Sequence, residues 1–124
     1  MNVVTQLAAL VAGLVHTMIF VMESLAFRRP SVQRSFGVSS GDLAAVRPWA
    51  FNQGFYNLFL AVGALGGLVL AHAGRPGAGR AVVLFACGCM LGAAVVLVAS
   101  NRRMARAAAV QGLAPLVALL AALV

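Results

Sequence analysis

The sequence predicts an all-α integral membrane protein, a bundle of four transmembrane helices. Of its 124 residues, 63% are hydrophobic and 9% are charged, and the mean hydropathy is +1.01. A soluble domain carries roughly 25% charged residues, so this chain has too few to cover a surface that faces water. The apolar residues form four long runs, and about 20 such residues cross a bilayer as a helix. The length accommodates one four-span transmembrane domain over residues 1–124.

The four apolar runs give the bounds of the predicted spans, which are 3–27, 49–73, 81–100 and 105–124. The N-terminus lacks the positive region of a cleaved signal peptide, so the first run is interpreted as a retained span. Pro48 suits the first turn of span two. Pro115 falls inside span four and leaves the backbone carbonyl of Gln111 without its helical hydrogen bond.

The connection between spans one and two is long enough to hold structure of its own. Ser39 to Asp42, followed by Leu43, predicts a short capped helix at the membrane interface, with Ser39 as its N-cap. Elsewhere, pairs of glycines at small-residue spacing predict close helix approach in the half of the bundle away from this connection. These pairs are Gly63 with Gly67 and Gly88 with Gly92.

The arginines predict the orientation of the bundle. The net charge is +7 and the chain has no lysine. The connections after spans one and three hold most of the arginines, so the positive-inside rule places these connections in the cytoplasm. The predicted location is the inner (plasma) membrane, with both termini on its outer side. Nucleic-acid binding is excluded because the arginines occur in short clusters between apolar runs. The cytoplasmic arginines are Arg28, Arg29, Arg34, Arg47, Arg102, Arg103 and Arg106; Arg75 and Arg80 lie on the other side.

Glu23 is the residue of greatest interest, because it is one of two acids in the chain and lies inside the first apolar run. An ionisable group within a membrane span is a functional-site hypothesis by default. His16 precedes it by seven positions, close to two helical turns, so both side chains are expected on one face.

Span two begins with a cluster of polar side chains. Asn52, Gln53, Tyr56 and Asn57 cover an arc of about 140° at 100° per residue, and we expect this arc to face the bundle interior rather than lipid. At 1.5 Å rise per residue, Asn52 and Gln53 lie at about the depth of Glu23, where they are expected to meet it, and Tyr56 and Asn57 lie between the depths of Glu23 and His16. Gln111 in span four reaches a comparable depth and provides a third wall.

The sequence therefore predicts one polar pocket in the cytoplasmic half of the bundle. Carboxylate, imidazole and phenol groups can exchange protons with a bound molecule, which makes Glu23, His16 and Tyr56 the candidate catalytic residues. Amide and indole groups suit ligand binding, and the candidates are Asn52, Gln53, Asn57, Gln111 and Trp49. No metal site is predicted, because Cys87 and Cys89 point to opposite helix faces and His72 is too far from His16. The sequence identifies no cofactor.

The pattern of these residues resembles the domain-of-unknown-function family thirteen-oh-four, a group of small integral membrane proteins of bacteria and fungi. The likeness extends over nearly the whole chain and is most specific in span two. It implies four membrane helices and assigns no function. The matching residues are His16, Glu23, Asn52, Gln53, Gly54, Tyr56, Asn57, Gln111 and Pro115.

Three functions remain open on the sequence. In the first, the protein binds a lipid-like or isoprenoid small molecule and transforms it by acid–base chemistry, as an isomerase or cyclase does. The second is an accessory membrane subunit in which the polar cluster only joins helices, since interhelical polar pairs also occur for packing. The third is a proton-coupled carrier that uses Glu23. The expected partners are membrane lipids, a hydrophobic small molecule and a second copy of the chain.

Overall fold

The computed structural model describes residues 1–124 and consists of helices and their connections. Four of the helical segments are long and apolar enough to cross a membrane: Val3–Leu25, Leu43–His72, Pro76–Ser100 and Arg102–Ala121. The predicted all-α four-helix bundle is therefore confirmed, and the chain is a multi-pass membrane protein with four candidate spans. The helices are α1 (Val3–Phe20), α2 (Pro30–Ser35), α3 (Leu43–His72), α4 (Pro76–Ser100) and α5 (Ala105–Ala121).

The four long helices form a closed ring in which each packs against two neighbours. Helix α1 packs on α3 and α5, and α4 packs on the same two helices from the other side. Both termini lie at one end, which we call the termini end, because Asn2 Nδ2 donates a hydrogen bond of 2.6 Å to the carbonyl of Ala121. At the same end His72 Nε2 lies 2.7 Å from Gln6 Oε1. The other end, which carries the connections after α1 and α4, is the arginine-rich end.

Small residues form the core and allow the helices to approach closely. At Gly67 an added Cβ would lie 2.8 Å from Val83 Cγ2, and at Gly63 it would lie 3.3 Å from Ala86 Cβ. The predicted close approach is confirmed for these two glycines. It is wrong for Gly88 and Gly92, where an added Cβ would meet no atom of another helix within 4 Å.

The outward position of Gly88 and Gly92 follows from the face that α4 buries. Its buried stripe runs through Val83, Cys87 and Met90. At about 100° per residue the two glycines lie roughly 140–180° from that stripe. The larger buried side chains fill the interior, and the glycines are left on the outer surface.

The connection between spans one and two differs from the prediction. A short helix is present, but it is α2, which begins at Pro30 rather than at Ser39. Ser39 Oγ donates a 2.6 Å hydrogen bond to Asp42 Oδ2, so its side chain does not cap a helix. The residues after Asp42 instead begin α3, which continues through Pro48 without a break. Pro48 is therefore an interior residue of the helix and not part of its first turn.

Candidate functional site

The last turn of span one is π-helical rather than α-helical. Helix α1 ends at Phe20, and Val21–Leu25 forms a π-helical turn that contains Glu23. The backbone N–H of Ala26 closes it with a 2.8 Å bond to the carbonyl of Val21, five residues back. Such turns are rare and occur frequently at functional sites.

Glu23 is joined to α3 by one hydrogen bond. Asn57 Nδ2 donates to Glu23 Oε2 at 2.8 Å and also lies 3.2 Å from the carbonyl of Gln53 in its own helix. Asn57 is only 6% exposed, whereas Glu23 is half-buried. The span-two amide that meets Glu23 is therefore Asn57, and not Asn52 or Gln53, which were expected at its depth.

A glycine allows the π-helical turn to lie directly on α3. A Cβ added at Gly54 would overlap Ser24 Oγ and would lie 3.1 Å from Glu23 Cβ. Ser24 Oγ donates a 2.9 Å hydrogen bond to the carbonyl of Phe51. Gly54 thus lies between two interhelical hydrogen bonds, one from Ser24 and one to Glu23.

A cavity of about 210 Å³ opens beside this contact at the arginine-rich end. Its polar lining residues are Glu23, Ser24, Arg28 and Arg47. A second cavity of about 290 Å³ lies next to it and shares three of its residues. The first is lined by Glu23, Ser24, Leu25, Phe27, Arg28, Arg47 and Phe51; the shared residues are Phe27, Arg28 and Arg47.

His16 lies in the bundle interior but is not bonded to Glu23. Its side chain is 1% exposed, and its Nδ1 lies 3.0 Å from the carbonyl of Ala12. A carbonyl oxygen only accepts, so Nδ1 carries the hydrogen, and in the neutral ring Nε2 is the acceptor. The expected placement of His16 on the inner face is observed, without a direct acid–base pair.

The other predicted residues of span two face outward. Trp49 and Tyr56 are 77% and 57% exposed, and Asn52 and Gln53 are also exposed. The expectation that the whole polar arc faces the interior is therefore wrong for Asn52, Gln53 and Tyr56.

Small residues account for this orientation. The buried stripe of α3 includes Gly54, Asn57 and Ala61, which bring neighbouring helices close. At 100° per residue, Asn52 and Tyr56 point about 170° and 130° away from the middle of these three residues. Only Asn57 belongs both to the polar arc and to the stripe.

Span four contributes less to the site than expected. Gln111 is half-buried and does not line the cavity beside Glu23. Pro115 lies buried inside α5, so the carbonyl of Gln111 lacks its helical donor, as the sequence predicts.

Several residues of the site were not singled out from the sequence. Ser24 directly follows the acid, and a serine in a membrane helix was unremarkable beside it. Arg28 and Arg47 were interpreted only as indicators of orientation. The spacing of Gly54 three residues before Asn57 was the available signal for the close contact with the π-helical turn.

Comparison with known proteins places the chain in a family. Neither the curated proteins nor the solved structures contain a significant match. The family described as protein of unknown function (DUF1304) matches residues 10–123, which include the π-helical turn, Asn57 and the buried Pro115. Since the match extends over almost the whole chain, this four-span membrane protein belongs to the DUF1304 family.

Proposed function

We propose that the protein binds a lipid-like small molecule in the cavity beside Glu23 and transforms it by acid–base chemistry at the Glu23 carboxyl group. The observation that carries this proposal is the half-buried carboxyl group of a membrane span, bonded to one amide and facing an open cavity. The remaining oxygen, Oε1, is available to a hydroxyl or other donor of the ligand.

Packing alone does not account for an acid at this position. A charged group at the centre of a span costs about 3 kcal/mol or more, whereas an interhelical hydrogen bond contributes about 0.6 kcal/mol on average. A glutamine would accept the same bond from Asn57 without a charge. The carboxyl group therefore supports a role that an amide lacks, such as proton transfer.

The neighbouring groups suit a supporting role in this chemistry. The Asn57 amide fixes the direction of Oε2 and leaves the other oxygen for the ligand. His16, deeper in the interior, offers Nε2 as a second proton acceptor because Nδ1 is held by Ala12. Tyr56, Asn52, Gln53 and Trp49 lie on the outer surface and have no part in the proposed reaction.

The proposal places the arginine-rich end in the cytoplasm and the bundle in the plasma membrane. The support is the excess of arginines in the connections after spans one and three. A ligand would then enter from the cytoplasmic leaflet.

The test compares the lipids and small molecules that co-purify with wild type, Glu23→Gln and Gln53→Ala, identified by mass spectrometry. We expect one enriched species with all three proteins, chemically altered with wild type and Gln53→Ala and unaltered with Glu23→Gln. Glutamine keeps the hydrogen bond from Asn57, so the variant isolates the proton-transfer role.

Three outcomes would overturn the proposal. An identical extract from all three proteins would exclude a reaction at Glu23. Loss of the folded bundle in Glu23→Gln would indicate that the acid serves the packing of the helices. Proton-gradient-dependent flux into vesicles, lost in Glu23→Gln, would instead favour a carrier.

A further inference from the structure

Arg28 and Arg47 converge on the same two cavities from separate parts of the chain. Arg28 follows the π-helical turn, and Arg47 lies in the first turns of α3. Both line the cavity beside Glu23 and the adjoining one. Other arginines of the same end, including Arg29 and Arg34, line neither.

No acid of the chain neutralises these two guanidinium groups through a hydrogen bond. The chain has two acids. Asp42 accepts from Ser39 and Glu23 accepts from Asn57. The donors of Arg28 and Arg47 are therefore free for an anion from outside the chain.

The chemistry of the pair favours a phosphate. A guanidinium group presents planar, parallel N–H donors that match two phosphate oxygens. Two such groups at one cavity offer donors to several oxygens of one phosphate.

The dimensions and walls of the cavity limit what accompanies the phosphate. A volume of about 210 Å³ is below the roughly 300–1,000 Å³ of pockets that enclose a whole ligand. It accommodates a headgroup, and an apolar tail must lie outside. Leu25 and Phe51, both exposed and both in the cavity wall, provide an apolar surface at its margin.

We infer that Arg28 and Arg47 bind the phosphate of an amphiphilic phosphate ester whose apolar tail lies against Leu25 and Phe51. This inference rests on the proposed function in assigning the ligand to the cavity beside Glu23, and it adds the chemical class of that ligand. The phosphate lies at the arginines, and the portion of the ligand beyond it extends toward Glu23, whose carboxyl group meets a donor rather than the anion.

The experiment measures binding of dodecyl phosphate to the purified full chain in a neutral detergent. The concentration of dodecyl phosphate is kept below its own critical micelle concentration. Arg28→Gln with Arg47→Gln is compared with the matched double variant Arg29→Gln with Arg34→Gln, which removes the same charge from the same end. We expect the first to weaken binding about tenfold or more, because charge-assisted hydrogen bonds are lost, and the second to change it less than about threefold.

Further ligands separate the possible sources of the phosphate. Inorganic phosphate that competes as strongly as dodecyl phosphate binds would show that the phosphate alone is recognised, which would overturn the contact of the tail with Leu25 and Phe51. Weak or absent competition would show that the tail is required, as in a lipid, and supports the inference. Dodecanol is expected not to compete.

Other results would overturn it. Equal weakening in the two double variants would mean that the surface only attracts anions in general, and absence of binding to wild type would refute the site. If phosphate binding fails while the wild-type extract still contains a species altered through Glu23, this inference falls and the proposed function stands.

Discussion

Replacing Gly54 with alanine tests whether the π-helical turn depends on direct contact with α3. The added methyl group would overlap Ser24 Oγ and lie 3.1 Å from Glu23 Cβ. The turn must then move away from α3, which breaks or stretches the bonds from Ser24 to Phe51 and from Asn57 to Glu23.

The magnitude follows from three opposing contributions. Overpacking of this kind costs about 1–3 kcal/mol. Loss of two interhelical hydrogen bonds adds about 1 kcal/mol at the average value for membrane helices. Alanine in place of glycine returns up to about 1 kcal/mol of helix propensity. We therefore expect Gly54→Ala to be about 1–3 kcal/mol less stable than wild type.

Gly66 provides a matched control in the same helix. A Cβ there meets nothing within 4 Å, so Gly66→Ala should be unchanged or up to about 1 kcal/mol more stable. Unfolding by titration with sodium dodecyl sulfate in mixed micelles, followed by circular dichroism, measures both variants.

A second-site change identifies the colliding atom. Ser24→Ala removes Oγ, the nearest atom to the added methyl group, and leaves Ser24 Cβ at 3.2 Å. Combining it with Gly54→Ala should recover part of the lost stability. If Gly54→Ala unfolds like Gly66→Ala, the close contact of the π-helical turn with α3 is refuted.

Two further predictions concern α3 and α4. Asn57→Ala should lose about 0.6–1.7 kcal/mol of stability, because the hydrogen bond to Glu23 is lost. Gln53→Ala, on the exposed side of α3, should stay within about 0.5 kcal/mol of wild type. Equal losses in the same detergent titration would contradict the contact between Asn57 and Glu23. Cys89 lies on the outer, exposed face of α4 and Cys87 is buried in the bundle, so Cys89→Leu should stay within about 0.5 kcal/mol of wild type in the same titration. Cys87→Leu should lose about 1–3 kcal/mol because the larger side chain overpacks the interior; equal losses in the two variants would show that α4 is rotated from its observed position.

The four spans could be predicted from the sequence because hydrophobic length is a property of each run alone. The limits of the helices were less predictable. Span two was expected to begin at Trp49, yet α3 begins at Leu43 and includes Pro48. The helix tolerates this proline because, near a helix end, it leaves only the carbonyl of Ala44 without a hydrogen-bond donor, and that carbonyl is accessible from the connection. For a similar reason, the capping pattern at Ser39, taken without its surroundings, predicted the short helix there instead of at Pro30.

The centre of the site could be predicted in part. Glu23 was identified because a lone acid in an apolar run is costly anywhere in a membrane. Its partner depended on the rotation of α3, which single-helix periodicity does not determine. The π-helical turn was not predictable, because its contribution is the close packing of span one on α3, which the sequence of span one alone does not show. For the same reason Arg28 and Arg47, far apart in sequence, gave no sign that they line one cavity.

Access to the backbone, rather than polarity, decided which amide of span two faces the acid. Phe51, Gly54 and Asn57 follow one another at intervals of three residues, so they form one strip along α3. The strip offers a carbonyl to Ser24, a side-chain-free backbone to the π-helical turn and an amide to Glu23. Asn52 and Tyr56 also carry hydrogen-bonding groups but have no glycine within one turn of them on their face. All three contacts depend on the same distance between the π-helical turn and α3, so a change that weakens one of them also lengthens the other two. The losses from Gly54→Ala and Asn57→Ala should therefore be less than additive when the two changes are combined, as is typical of residues within one contact network.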